Sequence, residues 1–236
     1  MRVLVTGATG LLGTSLITAA PKGFDVVATS RQATSSRFST SAVPLDLDLL
    51  DAPALSRALD EVRPDVVVHA AAEGSVDAVQ GNREEFFALN VRAAAQIADW
   101  CGHHSCHLVY VSSNAVFGGR STPYADNDEL CPINDYGHLK ADAETAVALA
   151  LPSALIFRPI LMYGWPSARS RMNPVAHWVS QLRNERRLKI VEDVITQPLA
   201  SWDAAKAIWR AVEIGSSGPL NASGGESLTL YDFAVL

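Results

Sequence analysis

Cysteine is scarce in this 236-residue sequence: only Cys101, Cys106 and Cys131 are present. An odd, sparse set in so long a chain makes no disulfide framework, so reduced thiols and a cytoplasmic location are expected. A basic surplus is missing too, with a formal net charge of −6. Phosphate neutralisation supplies most of the affinity of proteins that live on nucleic acid, which argues against a nucleic-acid partner. Long apolar runs are absent: no window approaches the roughly 18 consecutive apolar residues of a membrane span. Gly7 and Gly10 interrupt the apolar start at Val3 almost at once, which excludes a signal peptide of ordinary form. No membrane partner is therefore expected. Apolar residues nevertheless make up 48 % of the chain, enough for a sizeable core and too many for a disordered one.

What is present is an alternation. Apolar, β-branched runs at Val3–Thr6, Asp25–Thr29, Val66–His69, Leu108–Ser112 and Leu155–Pro159 read as strands. Helical patterns at Leu11–Ala20, Ala52–Val62, Arg83–Cys101 and Tyr136–Ala150 lie between them. Strands apolar on both faces belong to a parallel sheet covered by helices, and this spacing predicts an α/β, Rossmann-like doubly wound fold. Gln32 to Ala42 and Gly118 to Asp135 read as loops, the second long enough to serve an active site. Residues 1–160 are expected to form a dinucleotide-binding domain. Residues 161–236 are expected to form a small substrate lobe whose chain returns to the first domain at about 203–222. The segment Leu228–Leu236 looks like a helix beginning, with Thr229 as its N-cap, and the chain is expected to be incomplete at its C-terminus.

The turn Thr6-Gly7-Ala8-Thr9-Gly10-Leu11-Leu12-Gly13 follows the first strand and opens the first helix. Glycines at 7, 10 and 13 let backbone pass close to a pyrophosphate, and the N–H groups of the helix start, from Leu11 on, face it. The position between strand and helix is the context that gives this pattern its meaning. An acid about 20 residues further on would take the ribose 2′-OH of NAD. The second strand ends instead on Ser30 and Arg31, and a guanidinium suits a 2′-phosphate. The cofactor expected is NADP(H), with NAD(H) as the alternative, since Arg31 could also stack on adenine or face solvent. Asp46 or its neighbour Leu47 is a candidate partner of the adenine amino group, although Asp48 and Asp51 also precede a helix that needs a cap.

Tyr136 and Lys140 stand at i and i+4 and share one helix face. A free phenol has a pKa of about 10. A nearby ammonium favours the phenolate and lowers that value. Tyr136 is thus a candidate general acid towards a carbonyl oxygen, and Lys140 a candidate donor to the cofactor ribose. Ser113, at the end of the strand Tyr110-Val111-Ser112-Ser113, is positioned to hold the substrate oxygen; the competing reading is that it satisfies turn backbone.

In this order, the glycine turn, Pro64-Asp65-Val66-Val67-Val68-His69-Ala70-Ala71-Ala72, Asn90-Val91, Ser112-Ser113-Asn114-Ala115-Val116-Phe117, Tyr136-x-x-x-Lys140, Arg158-Pro159 and Tyr163-Gly164 resemble the extended short-chain dehydrogenase/reductases. The wording, with Asn221-x-Ser223-Gly224-Gly225-Glu226 and Phe233, is most similar to the dTDP-4-dehydrorhamnose reductase family. The resemblance implies Ser113, Tyr136 and Lys140 as a catalytic triad and Asn90 as a structural or relay residue near the cofactor. It implies Ala70, Ala71 and Ala72 along the nicotinamide side, and Arg158 among the cofactor residues. The implied activity is reduction of a keto group on a nucleotide-linked deoxysugar. The family commonly has Thr-Asp-Tyr where this chain has Ser113-Asn114-Ala115, and its chains usually continue past residue 236. Some relatives are non-catalytic NADP-binding regulatory subunits, and epimerases share the triad; both readings remain beside the reductase one.

Other clusters carry weaker signals. Cys101-Gly102-His103-His104-Ser105-Cys106-His107 has metal-ligating residue types, but it falls where a helix must turn into a strand, and no metal is expected. Arg169, Arg171, Arg183, Arg186, Arg187 and Lys189 would suit a sugar-nucleotide diphosphate or a solvated helix face equally. Trp165 and Trp178 suit stacking or core packing. His69, Glu73 and Asp77 border the cofactor strand. A two-fold homodimer is a base-rate expectation.

Overall fold

The computed structural model describes residues 1–34, 38, 42–72, 83–165 and 172–236. Glu73, Asp77, Arg169 and Arg171 lie outside the described residues.

Strands β1 (Arg2–Thr6), β2 (Asp25–Ser30), β3 (Ala42–Asp46), β4 (Val66–His69), β5 (His107–Val111) and β6 (Leu155–Pro159) join a single sheet. They are followed by β7 (Met162–Tyr163), β8 (Ile195–Thr196), β9 (Leu199–Ala200), β10 (Gly218–Ala222) and β11 (Leu228–Thr229). The order in the main sheet is β10-β6-β5-β4-β1-β2-β3, and every pairing in it is parallel. The order reverses between β1 and β4, where Thr6 lies beside His69. In an open parallel sheet a crevice forms at that switch point, beyond the carboxyl ends of the strands.

Side-chain alternation divides the core in two. Leu4, Val67, Leu108, Tyr110 and Ile156 face α2 (Ala52–Val62), α4 (Ala93–His103) and α5 (Asp135–Ala150), and pack on Leu55, Leu59, Ile97, Leu139 and Val147. Val3, Val5, Val66, Val68, Val109 and Phe157 face the opposite layer of α1 (Leu11–Thr18) and α7 (Ser201–Glu213), meeting Leu12, Leu16, Ala205, Ile208 and Trp209. Each such aliphatic or aromatic side chain, fully buried, contributes about 1.5–3 kcal/mol. Trp209 also donates its indole N–H to Leu16 O at 3.0 Å, which joins the two helices of that layer.

Two elements differ from expectation. The segment around Ala42 continues as β3, an edge strand of mixed exposure that contains Pro44. An edge tolerates proline and needs no continuous apolar run, so the strand carries little signal. The helical pattern Arg83–Cys101 is not one regular helix: α3 (Arg83–Phe87) passes through a π-helical turn, Ala88–Arg92, before α4. The two-stranded pairs β7–β9 and β8–β11, α6 (Pro174–Arg183) and α8 (Leu230–Val235) make up the rest. Thr229 caps α8 through a 3.0 Å bond from Asp232 N–H, and Phe233 packs edge-on against Tyr163 and Trp178. Among the described residues no helix is long and apolar enough to cross a membrane.

Candidate active site

The glycine turn sits at the switch point. Gly7 has φ +67°, and a Cβ on it would lie 2.7 Å from Ala71 N and 2.8 Å from the Ala70 carbonyl. A Cβ on Gly13 would stand 2.1 Å from Gly7 O, so α1 packs directly on the turn that precedes it. Its N-cap, Gly10, has no side-chain capping bond, and the first N–H groups of a helix, here those of Leu11, Leu12 and Gly13, have no partner within the helix itself. Such a helix start favours an anion through its N–H groups and its dipole. Gly7, Thr9 and Gly10 line a cleft of about 660 Å³, and Ala70, Ala71 and Ala72 line it as well. Gly13→Ala is therefore expected to weaken NADPH binding roughly tenfold or more, because overpacking here costs about 1–3 kcal/mol. Fluorescence titration against Gly225→Ala, whose added methyl meets open space, checks this.

Ser30, Arg31 and Leu47 also line the cleft, with Arg31 exposed and no acid at the end of β2. Asp46 is turned elsewhere. Its carboxylate accepts from Thr34 N–H at 2.8 Å and Thr34 Oγ1 at 2.6 Å, bonds that hold its pKa below the usual carboxylate value. Asp46 does not line the cleft, whereas its neighbours Leu47 and Asp48 do. Asp51 caps α2 through Ala54 N–H.

The first turn of α5 lies against the 3₁₀ turn Asn114–Val116. A Cβ on Gly137 would be 2.2 Å from Ala115 O, so this glycine permits the close packing of the first turn of α5 on the turn that follows Ser113. Asn134 caps the helix through Gly137 N–H at 2.8 Å. Tyr136 is half-buried. Ser113 Oγ accepts from Ala115 N–H at 3.2 Å, a bond that uses a lone pair of the hydroxyl and not its proton. Lys140 is buried, 2 % exposed, and its ammonium donates to Val111 O at 2.9 Å and Tyr110 Oη at 3.3 Å. Burial pulls its pKa from 10.5 down to about 8, with the negative charge of Glu144 working the other way.

Arg158 is held by protein partners. Its guanidinium is buried against Glu144, with Nε 3.0 and 3.1 Å from the two carboxylate oxygens and Nη2 at 2.7 Å, while Nη1 donates to Asp126 O at 2.8 Å. All three guanidinium nitrogens are engaged by Glu144 and Asp126, and Arg158, like Ser113, Tyr136 and Lys140, is not among the residues that line the cleft of about 660 Å³. Ser112 Oγ also donates to Glu144 Oε1. Asn90 lies in the π-helical turn, 1 % exposed, and donates to Phe86 O at 3.0 Å. Among the described residues its Oδ1 has no partner, and π-helical turns often mark functional positions. Phe86 and Leu89, rather than Asn90, reach the cleft wall.

Gly137, Glu144 and Tyr110 were not anticipated as site residues. A glycine directly after the tyrosine and an acid at i+8 on its face were the available signals. Elsewhere, His103 and His104 bond back to Asp99 O and Trp100 O, and Cys101 and Cys106 are buried. Trp165, Arg183, Arg186, Arg187 and Lys189 are exposed.

A doubly wound parallel sheet, a glycine cradle at its switch point and a tyrosine–lysine helix beside it define a dinucleotide-binding α/β protein. Residues 1–236 match the RmlD substrate binding domain, and the chain belongs to that family. It is 32 % identical over 238 residues to a probable dTDP-4,6-dihydroxy-2-methyloxan-3-one 4-ketoreductase of Streptomyces antibioticus, covering 99 % of this chain and 75 % of that one. It is 30 % identical over 239 residues to methionine adenosyltransferase 2 subunit beta of Rattus norvegicus, covering 99 % and 70 %. A crystal structure of dTDP-4-dehydrorhamnose reductase from Bacillus anthracis in complex with NADP superposes with a TM-score of 0.86 at 25 % identity, over 99 % of this chain and 78 % of that one.

Proposed function

We propose that this protein is an NADP(H)-dependent reductase of a keto group on a nucleotide-linked deoxysugar. The observation that carries the reading is the buried Lys140 ammonium, four residues after Tyr136 on the same helix and bonded to the carbonyl of Val111 at the end of β5, in a sheet whose switch point carries the glycine cradle. The residues fit a dinucleotide: glycines whose side chains would fill the cradle, an uncapped helix start for the pyrophosphate, and Ser30 and Arg31 for a 2′-phosphate. Bound there, the cofactor supplies the hydride. This chain supplies the rest. Ser113 holds the substrate oxygen, Tyr136 delivers a proton to it, and the charge on Lys140 makes that phenol acidic enough to do so. The relative from Streptomyces antibioticus is a 4-ketoreductase by name, which supports the same substrate class here.

The test is oxidation of NADPH, with NADH in parallel, in the presence of keto-sugar nucleotides, beginning with dTDP-4-keto-6-deoxy-D-glucose. Sugar-dependent NADPH loss is expected. An epimerase would interconvert sugars with no net loss of NADPH. Tight NADPH binding without turnover of any member would favour a non-catalytic, cofactor-binding subunit; the relative from Rattus norvegicus is a subunit by name.

A further inference from the structure

Tyr110 is the largest fully buried side chain of β5, and its hydroxyl has no place in the chemistry above. A lysine head group on a four-carbon stem is fixed only by its acceptors. Among the described residues Lys140 has two: the Val111 carbonyl at 2.9 Å and the Tyr110 hydroxyl at 3.3 Å. Two fixed N–H bonds of a tetrahedral ammonium determine the direction of the third. Tyr110 is itself braced. The His69 ring stacks on it with centroids 5.9 Å apart and 30° between planes. His69 Nδ1 is bonded to Thr6 Oγ1 at 2.7 Å, and the same oxygen accepts Ala71 N–H at 3.2 Å. A continuous set of contacts thus runs from the Ala70–Ala72 wall of the cleft, through Thr6, His69 and Tyr110, to the ammonium.

We propose that Tyr110 is a positioning residue for Lys140: its hydroxyl and the Val111 carbonyl hold the ammonium so that the remaining N–H is presented to the cofactor, and His69 and Thr6 tie that pose to the wall of the cofactor cleft. This rests on the reading of Lys140 and Tyr136 given above. Charges around the ammonium are compatible with it. His69 is neutral at physiological pH, its pKa pushed down to about 3 by burial and by Lys140. Glu144 acts on the ammonium from its own helix, Tyr110 from β5 and His69 from β4, while Tyr136, one turn before Lys140, acts on Tyr110. Arg158 of β6 is neutralised by Glu144.

Tyr110→Phe tests this, with Leu108→Ala, a core residue of the same strand face, as the variant for stability loss alone. Loss of an acceptor that favours charged lysine is expected to move the alkaline limb of the kcat profile down by about one pH unit. With NADPH and dTDP-4-keto-6-deoxy-D-glucose, kcat at neutral pH is expected to fall roughly tenfold with KM for the sugar nucleotide little changed. NADPH affinity without sugar is expected to weaken several-fold. Leu108→Ala is expected to lower Tm and move none of these. If Tyr110→Phe does not fold, His69→Gln is expected to give smaller shifts in the same directions. Unchanged pH profile and NADPH affinity in the folded variants would overturn the proposal. Lys140→Ala separates the two levels: if it leaves turnover intact, the functional reading itself fails, whereas its inactivity beside an unshifted Tyr110→Phe sinks only the positioning role.

Discussion

Tyr136→Phe is expected to lower turnover by roughly 10²–10⁴-fold, the usual worth of a positioned general acid, while NADPH still binds. Phenylalanine keeps the ring, and the helix start keeps its Asn134 cap and its close approach at Gly137, so the loss is confined to one hydroxyl. The dependence on Lys140 adds a pH signature. Its ammonium titrates at about 8. Turnover that needs the charge is therefore expected to fall as pH rises through that value. Stability has the opposite sign. A lysine whose folded pKa is depressed binds fewer protons folded than unfolded between about 8 and 10.5, so its contribution to stability rises across that window. Falling turnover with no loss of fold above pH 8 would separate the lost charge from denaturation. Steady-state rates and cofactor titrations on wild type and Tyr136→Phe check the first point. A variant that turns over at the wild-type rate excludes Tyr136 as the proton donor.

The parts of this architecture that are legible in the sequence are those written as local patterns. Val66-Val67-Val68 is apolar on both faces because helices cover both faces, and the glycines at 7 and 13 record close approaches of backbone to backbone. Tyr136 and Lys140 announce a shared face through their spacing. What is illegible depends on partners distant in the chain or on edges. β3 pairs on one side only and keeps a proline, so it lacks the apolar run that marks β4. The π-helical turn at Asn90 leaves the 3.6-residue pattern nearly intact, since it widens a single turn. Glu144 is visible as an acid on the tyrosine–lysine face, but its partner stands 14 residues away in a different element. Without that partner, Arg158 reads as a cation for the cofactor.

That partnership implies a large effect on stability. Removing Glu144 as Glu144→Ala is expected to cost about 3–5 kcal/mol, because it leaves a buried guanidinium uncompensated. The two side chains are 3 % and 6 % exposed, so water replaces little of the lost interaction. Among the described residues Arg158 would retain the Asp126 carbonyl and its position near the Phe117 ring, at 5.3 Å. The Ser112 hydroxyl would lose its acceptor, and the loop held through Asp126 to Asn221 N–H at 2.7 Å would lose part of its anchor. In a domain of this size the melting temperature should drop by roughly 10 °C. The joint replacement Glu144→Leu with Arg158→Met removes both charges and is expected to cost clearly less than Glu144→Ala alone. Urea unfolding of Glu144→Leu, Arg158→Met and the double measures the coupling. A single-variant loss below about 1 kcal/mol, the range of exposed pairs, would mean that solvent reaches the pair and that it does not clamp α5 to β6.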